Sequence, residues 1–274
     1  AFGLENQIAK AAQGEAEAIQ KVAQYYQKAP HTLASFASNH DQFAGKRLWD
    51  QLSGNETHYK LASATYLLLP GTPFIYYGEE IVMENIESNS LDEMMDIQAR
   101  THYKIALKNG KPKEQAIKIG NDYNRDKSRS PMQWNDGKYG GFSNEKAWIK
   151  VNQNYIKLNV ENLEKNKSSL LNKYKKLISL RNSEQVLQYG QYVQLSFLND
   201  LIMFTRSFNG ERIKCYFNFG ENSKEIILKN ISFKYVFNNS LSLLSKLSPF
   251  TIFSINTLLS LISYNISYVS ISIF

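Results

Sequence analysis

The chain has 274 residues, 43% hydrophobic and 13% aromatic, which supplies material for a packed core in one or two domains and excludes a disordered polypeptide. Its net charge of +7 invites a nucleic-acid reading, yet the 32 Lys and Arg are scattered rather than gathered into one stripe with aromatics, so no nucleic-acid partner is expected. One cysteine, Cys215, excludes an internal disulfide framework and reads, in its apolar strand context, as a small buried hydrophobe.

Residues 1–30 carry Ile8, Ala11, Ala12, Ile19, Val22 and Ala23 at roughly helical spacing and predict an amphipathic helix ahead of a strand that starts near His31. That strand ends on Asn39-His40-Asp41, which sets an imidazole beside a carboxylate where the strand runs out. Tyr59 to Leu69 predict a helix with one apolar face packed on the sheet. The run Leu67 to Glu80 predicts a second short strand with polar groups at its C-terminal end. Two strands of this kind joined by a helix predict part of a (β/α)8 barrel, an α/β fold whose active face lies at the strand ends.

Residues 81–124 follow as a long excursion, a helix over Leu91 to Asn109, a break at Gly110 and Pro112, and a shorter helix over Lys113 to Ile119. An insertion of about forty residues at that face is expected to be functional. A helix from Ser168 to Asn182 closes the barrel and shows Lys173, Lys175 and Lys176 to solvent. Beyond it, Tyr192–Phe197, Leu201–Arg206, Ile213–Asn218 and Lys224–Leu228 are short strands separated by Asn-Asp and Asn-Gly turns, which predict a small antiparallel β-sandwich.

Three ordered motifs carry a family resemblance: Ser38-Asn39-His40-Asp41-Gln42; Pro70-Gly71-Thr72-Pro73-Phe74-Ile75-Tyr76-Tyr77-Gly78-Glu79-Glu80-Ile81; and Arg125-Asp126-Lys127-Ser128-Arg129-Ser130-Pro131-Met132-Gln133-Trp134, followed by Gly141-Phe142-Ser143. They resemble the last barrel strands of the alpha-amylase family of glycoside hydrolases, family 13. The third motif is most similar to the oligo-1,6-glucosidase and alpha-glucosidase branch. Residues 148–155 and 169–181 follow that branch too, and the likeness covers roughly residues 1 to 255.

The resemblance implies residues 1–183 as the C-terminal part of the catalytic barrel, 184–255 as a β-sandwich domain and 256–274 as an atypical, uncharged tail. In the family the fourth strand supplies an Asp nucleophile and the fifth a Glu general acid. This sequence reads as beginning after both, so the chain by itself is expected to be inactive. Leu247 to Ile255 resembles the closing strand. The tail after it is a weak candidate for a membrane span, because Ser and Asn interrupt it. It reads foremost as a reading-frame or gene-fragment artefact and next as an added edge strand, and deleting Asn256 to Phe274 is expected to improve soluble yield and leave the β-sandwich folded.

Retaining glycosidases pass through an oxocarbenium-like state that a fixed carboxylate near the sugar stabilises. By resemblance Asp41 is that third carboxylate and His40 a directional donor to sugar hydroxyls. For the triplet alone, an Asx turn at a strand end is the competing reading. Arg125 is implied to contact the terminal sugar or the catalytic carboxylates and Arg129 to border the next subsite, against surface ion pairing with Asp122 or Asp126. Glu79 and Glu80 could be mistaken for a partner of Asp41, but the family assigns them no such role. Structural hydrogen bonding or pairing with a nearby Arg or Lys is preferred. Tyr76, Tyr77, Trp134 and Phe142 could stack on sugars, although core packing is the simpler reading for each.

His31, His40, His58 and His102 lack metal-ligand spacing with the single Cys, and neither a phosphate loop nor a Gly-x-Ser-x-Gly elbow is present. No cofactor is expected, calcium belonging, where the family binds it, to the barrel half outside this sequence. The function implied is that of the C-terminal half of a retaining alpha-glucosidase acting on short alpha-linked gluco-oligosaccharides. A non-catalytic carbohydrate-binding or structural relative is the alternative. A membrane partner is not expected, and the cytoplasm is the favoured location.

Overall fold

A computed structural model describes residues 4–28, 33–41, 46–198 and 200–220, and the strands at 224–228, 232–235, 250–255 and 269–273. The N-terminal region is two helices rather than one, α1 (Glu5–Ala12) and α2 (Ala16–Lys28). Gly14 between them has φ +85, a backbone that a helix cannot contain and that glycine adopts without steric cost. The apolar spacing nonetheless places Ile8, Ala11, Ala12, Ile19, Val22 and Ala23 in the core.

Two parallel strands follow, β1 (Ala34–Ser35) and β2 (Thr72–Pro73), in register Ala34 to Thr72 and Ser35 to Pro73. Both are shorter than the sequence predicts, and His31 lies outside the described residues. Leu67 and Leu68 belong not to β2 but to the helix before it, because α4 (Glu56–Leu68) continues through them, after the four-residue α3 (Leu48–Gln51). From Leu61 onward every residue of α4 is buried, so it is a central helix and not one with a single apolar face. Ser63 and Thr65 tolerate this because their hydroxyls donate to the carbonyls of Tyr59 and Leu61, each at 2.7 Å.

The C-terminal carbonyls of α4 are satisfied from far away in the chain. The guanidinium of Arg181 donates to the carbonyls of Leu67 (2.7 Å), Leu69 (3.1 Å) and Gly71 (2.5 Å). That of Arg206 donates to Leu68 (3.3 Å), Leu187 (2.6 Å) and Gly190 (3.0 Å). Two cations thus sit at the negative end of a buried helix, where its orphan carbonyls need donors. Burial and the neighbouring Arg181 pull the Arg206 guanidinium down to about 10.

The excursion is a helical hairpin, α5 (Ile97–Lys108) and α6 (Lys113–Asp122), with a core of its own formed by Met94, Ala99, Tyr103, Ala106 and Ala116. The predicted helix from Leu91 is interrupted, because Asp96 caps α5 by accepting from the Gln98 amide (3.1 Å), and Leu91–Glu93 form a separate 3-10 turn. Helices α7 (Val160–Lys165), α8 (Leu170–Ser183) and α9 (Gln185–Tyr189) complete this part. On α8, Lys175 and Lys176 are exposed, whereas Lys173 is half-buried.

The C-terminal strands are β3 (Gln191–Leu198), β4 (Leu201–Phe208), β5 (Glu211–Asn218), β6 (Lys224–Leu228), β7 (Ser232–Tyr235), β8 (Phe250–Ile255) and β9 (Val269–Ile273). They form a five-stranded antiparallel sheet in the order β3-β4-β5-β8-β7 and a two-stranded pair β6-β9. Asn209 (φ 49) and Gly210 (φ 84) close the β4–β5 hairpin with the left-handed backbone a two-residue turn of this kind needs. Ile202, Phe204, Ile213, Cys215 and Phe217 of the sheet share one hydrophobic cluster with α1, α2, α4 and α8. Cys215 is buried as expected, and burial pushes its thiol up to about 12. The tail is not merely an appendage, since β9 supplies the strand that pairs with β6, Lys224 opposite Ile273 through Leu228 opposite Val269. Among the described residues no helix is long and apolar enough to cross a membrane.

Two outcomes are expected. Arg181→Met leaves three buried carbonyls without a donor and lowers stability by on the order of 3 kcal/mol, measured as a fall in the urea midpoint at unchanged m-value. Deleting residues 269–274 removes the strand opposite β6, so the amides of residues 224–228 lose hydrogen-exchange protection while those of α4 keep theirs.

Candidate active site

Parallel pairing of β1 with β2 brings the two strand ends together, the Thr72 amide donating to the Leu33 carbonyl (2.9 Å) and the Phe74 amide to the Ser35 carbonyl (2.7 Å). Beyond β1, the side-chain oxygen of Asn39 accepts from the Asp41 amide (2.8 Å), an Asx turn that presents His40 and Asp41. The Asx turn and the site are one feature, since this turn sets Asp41 before the cations. Beyond β2, the hydroxyls of Tyr76 and Tyr77 donate to the carbonyls of Ser128 (3.0 Å) and Ser130 (2.8 Å). These bonds fasten the arginine-bearing loop to the strand end.

The 3-10 turn Arg125–Ser128 turns Arg125 and Arg129 to one side. Asp41 Oδ1 lies 3.7 Å from Arg125 Nη1 and 3.6 Å from Arg129 Nη2, and its Oδ2 lies 3.6 Å from His40 Nε2. Arg129 Nε also donates to the His40 carbonyl (3.0 Å). All four residues expected at the site therefore converge, and they remain open to solvent, with side chains 26–64% exposed.

Asp96 was not legible as a member of this cluster. Its carboxylate takes Arg125 Nε (2.7 Å) and Nη2 (2.9 Å) in a bidentate pair and also accepts the Arg125 amide (3.0 Å). The surface pairing of Arg125 with Asp122 or Asp126 is thus replaced by a buried pairing with Asp96. Burial pushes the Asp96 carboxyl up, but the hydrogen bonds from Arg125 and Gln98 outweigh it and hold the group down at about 2. The signal in the sequence was an Asp immediately before a helical segment, the position of a cap, which gives no hint of a partner 29 residues on. Asp126 has a different task, since its Oδ2 accepts the amides of Met95 and Asp96, each at 2.7 Å, and so fixes where the Asp96 side chain starts. Asn121 and Asn124 tie the same loop to Ser88.

Glu79 and Glu80 do not face Asp41. Glu79 is 1% exposed and accepts from Ser38 Oγ and, at 2.8 Å, from the Tyr66 hydroxyl. Glu80 accepts from the Gly78 amide (2.9 Å). Hydroxyls and an amide satisfy them rather than a Lys or Arg in direct contact. Arg47 stacks over Tyr76 and Tyr77 at 5.2 and 5.0 Å and donates to the Tyr77 carbonyl (2.8 Å). Gly78 makes room, because a Cβ there would meet Arg47 Nη1 at 2.9 Å. Of the aromatics, Trp134 and Phe142 are half-exposed and not core, Tyr77 is 39% exposed, and Tyr76 is half-buried.

A short parallel pair with a carboxylate, an imidazole and two guanidinium groups beyond its C-terminal ends is the layout of the strand-end face of a (β/α)8 barrel, of which this chain forms part. The alpha amylase catalytic domain family matches residues 5–190, and the chain belongs to that family. It is 40% identical over 164 residues to a probable oligo-1,6-glucosidase 3 of Bacillus subtilis, covering 58% of this chain and 29% of that protein. It is 36% identical over 189 residues to an oligo-1,6-glucosidase of Bacillus cereus, covering 66% of this chain and 33% of that protein. Among solved structures it is similar to a trehalose-6-phosphate hydrolase of Bacillus licheniformis, with TM-score 0.68, 26% identity, 87% of this chain and 46% of that one. An isomaltulose synthase of Klebsiella is equally similar, with TM-score 0.68, 27% identity and the same two coverages. The chain spans about a third of the length of the curated relatives it matches.

The pairing of Asp96 sets a pH dependence. Its carboxyl titrates at about 2 when folded, below the ~3.9 of a free Asp, so the stability it contributes is present above about pH 4 and is lost as pH falls toward 2. Unfolding of the wild-type chain and of Asp96→Asn followed against pH should show a gap at neutral pH that closes across that window.

Proposed function

We propose that this chain is the C-terminal portion of a retaining alpha-glucosidase of the oligo-1,6-glucosidase branch, acting on short alpha-linked gluco-oligosaccharides. The observation that carries the reading is the carboxylate of Asp41 flanked by His40, Arg125 and Arg129 at 3.6–3.7 Å, with Arg125 fixed from behind by Asp96. A purely structural relative has no need of such a constellation.

In this reading Asp41 stabilises the positive charge that grows at the anomeric carbon in the oxocarbenium-like state. His40 offers a directional donor to the hydroxyls of the same sugar. Arg125 holds the non-reducing end; both oxygens of Asp96 engage its Nε and Nη2, which leaves Nη1 for Asp41 and the sugar. Arg129 borders the next subsite, and the half-exposed rings of Trp134 and Phe142 are suited to stacking on further sugar units.

A retaining reaction needs two carboxyl groups about 5 Å apart, one of them able to give a proton. Among the described residues, Asp96, which shares Arg125 with Asp41, is buried and held at about 2, and Asp126 is buried and bonded to two backbone amides, so neither can serve. The chain by itself is therefore expected to release no glucose from maltose, isomaltose or an aryl alpha-glucoside. Turnover in the ordinary enzyme range of about 1 to 1,000 per second would refute this.

The reading is tested by exchange. A chimera in which residues 5–190 replace the matching portion of an active oligo-1,6-glucosidase should cleave isomaltose. Asp41→Asn in that chimera should lower kcat by on the order of a hundredfold without unfolding it. Arg125→Ala should lower kcat/KM on short substrates, and values unchanged from the parent chimera for both variants would assign these residues to surface ion pairing.

A further inference from the structure

Glu79 is a fully buried carboxylate in contact, through Ser38, with the segment that carries Asp41. Its surroundings fix how it can be satisfied. Ser38 Oγ donates to Oε1, the Tyr66 hydroxyl donates to Oε2 (2.8 Å), and the Tyr59 hydroxyl donates to the Glu79 carbonyl (2.6 Å). Behind these, Ser63 Oγ donates to the Tyr59 carbonyl (2.7 Å), so in the contact between Ser63 Oγ and the Tyr174 hydroxyl (2.8 Å) it is Tyr174 that donates. Every hydroxyl proton of the cluster is then committed, two of them to the Glu79 carboxylate and one to its carbonyl.

That arrangement suits an ionised carboxylate, which accepts on both oxygens. A protonated carboxyl brings one proton more into a place whose one further acceptor is the Tyr174 hydroxyl oxygen, 3.4 Å from the Tyr66 hydroxyl. Its O–H has to go to Ser38 Oγ or to the Tyr66 hydroxyl, and the displaced group must turn its own proton elsewhere. Ser38, itself 1% exposed, directly precedes Asn39, whose side chain holds the Asp41 amide. Of the two bonds to the carboxylate, the one to Ser38 leads to the active site.

We propose that Glu79 is the positioning residue of this site: through Ser38 it fixes the Asn39–Asp41 turn, and a proton gained at Glu79 loosens that turn and with it Asp41. The consequence for catalysis rests on the role proposed above for Asp41, whereas the coupling itself does not. Burial pushes the Glu79 carboxyl up and the bonds from Ser38 and Tyr66, with the charge of Arg47, pull it back, leaving it at about 7. The other groups around it do not compete for the proton in that range. The hydroxyls of Tyr59, Tyr66 and Tyr174 are all raised above their ordinary values, chiefly by burial. Glu80, whose charge opposes ionisation of Glu79, is engaged by the Gly78 amide.

The test uses the full chain and no substrate. The amide resonances of Asn39 and Asp41 are followed by NMR from about pH 5 to about pH 9, together with the side-chain carboxyl carbon of Glu79. A step that tracks the Glu79 carboxyl is expected at both amides. Glu79→Gln should remove that step. Tyr66→Phe, which withdraws a donor from the ionised form, should keep it and move its midpoint up by about one pH unit. Ser38→Ala should leave Glu79 titrating while the amides of Asn39 and Asp41 cease to follow it. Amides that do not follow the Glu79 carboxyl as it titrates would overturn the proposal, and so would amides that still follow Glu79 in Ser38→Ala. Should Glu79→Gln fail to fold, the Tyr66 and Ser38 variants decide alone. In the chimera, Glu79→Gln should alter the acid limb of the kcat/KM profile. A chimera without activity would count against the proposed function and leave the NMR result standing.

Discussion

The C-terminal end of helix α4 is the point on which the rest of the molecule depends. A helix buried from Leu61 to Leu68 ends with carbonyls that water cannot reach, and Arg181 and Arg206 supply the donors. Because Arg181 lies on α8 and Arg206 on β4, this one capping arrangement joins the barrel portion to the antiparallel sheet. It also sets the starting point of β2, since Gly71, one of the carbonyls that Arg181 holds, immediately precedes Thr72. The register of β2 on β1 then places the two strand ends that bear the site. A cost accompanies the arrangement, because burial lowers both guanidinium groups and the charge of Arg181 lowers Arg206 further.

The site is organised in layers of decreasing burial. Deepest is the hydroxyl cluster around Glu79; next is Asp96, enclosed and saturated by Arg125 and backbone amides; outermost are Asp41, His40, Arg125 and Arg129, open to solvent. Rigid supports beneath solvent-facing charges are what electrostatic stabilisation requires, because a carboxylate free to turn would lose in reorganisation what it gains in attraction. The helical hairpin α5–α6 belongs to this logic: its core holds the start of α5, and the start of α5 holds Asp96.

Some elements could be read from the sequence and others could not, for reasons that differ by position. The apolar spacing of residues 8–23 placed the right side chains in the core, but spacing does not register a single positive-φ glycine, and Gly14 divides one predicted helix into two. Leu67 and Leu68 continue an apolar run that suits helix and strand alike, and only the packing on all sides of α4 assigns them to the helix. Tyr192–Phe197, Leu201–Arg206, Ile213–Asn218 and Lys224–Leu228 each fall inside an observed strand, because alternation bounded by Asn-Gly and Asn-Asp is a local signal. The pairing of β9 with β6 is not local, and an uncharged, β-branched tail gives no indication of which strand it will meet.

The sequence by itself determined the family and marked Asp41, His40, Arg125 and Arg129 as candidates for the site, since each is written in a contiguous motif where residue type and spacing carry the chemistry. Only the tertiary structure decided what holds those four in place. Asp96 grips Arg125 across 29 residues, Glu79 grips Ser38 across 41, and Arg181 caps Leu67 across 114. Each is a polar group sealed from water, and which partner satisfies it is settled by the packing that brings distant segments together, a quantity that no local pattern records.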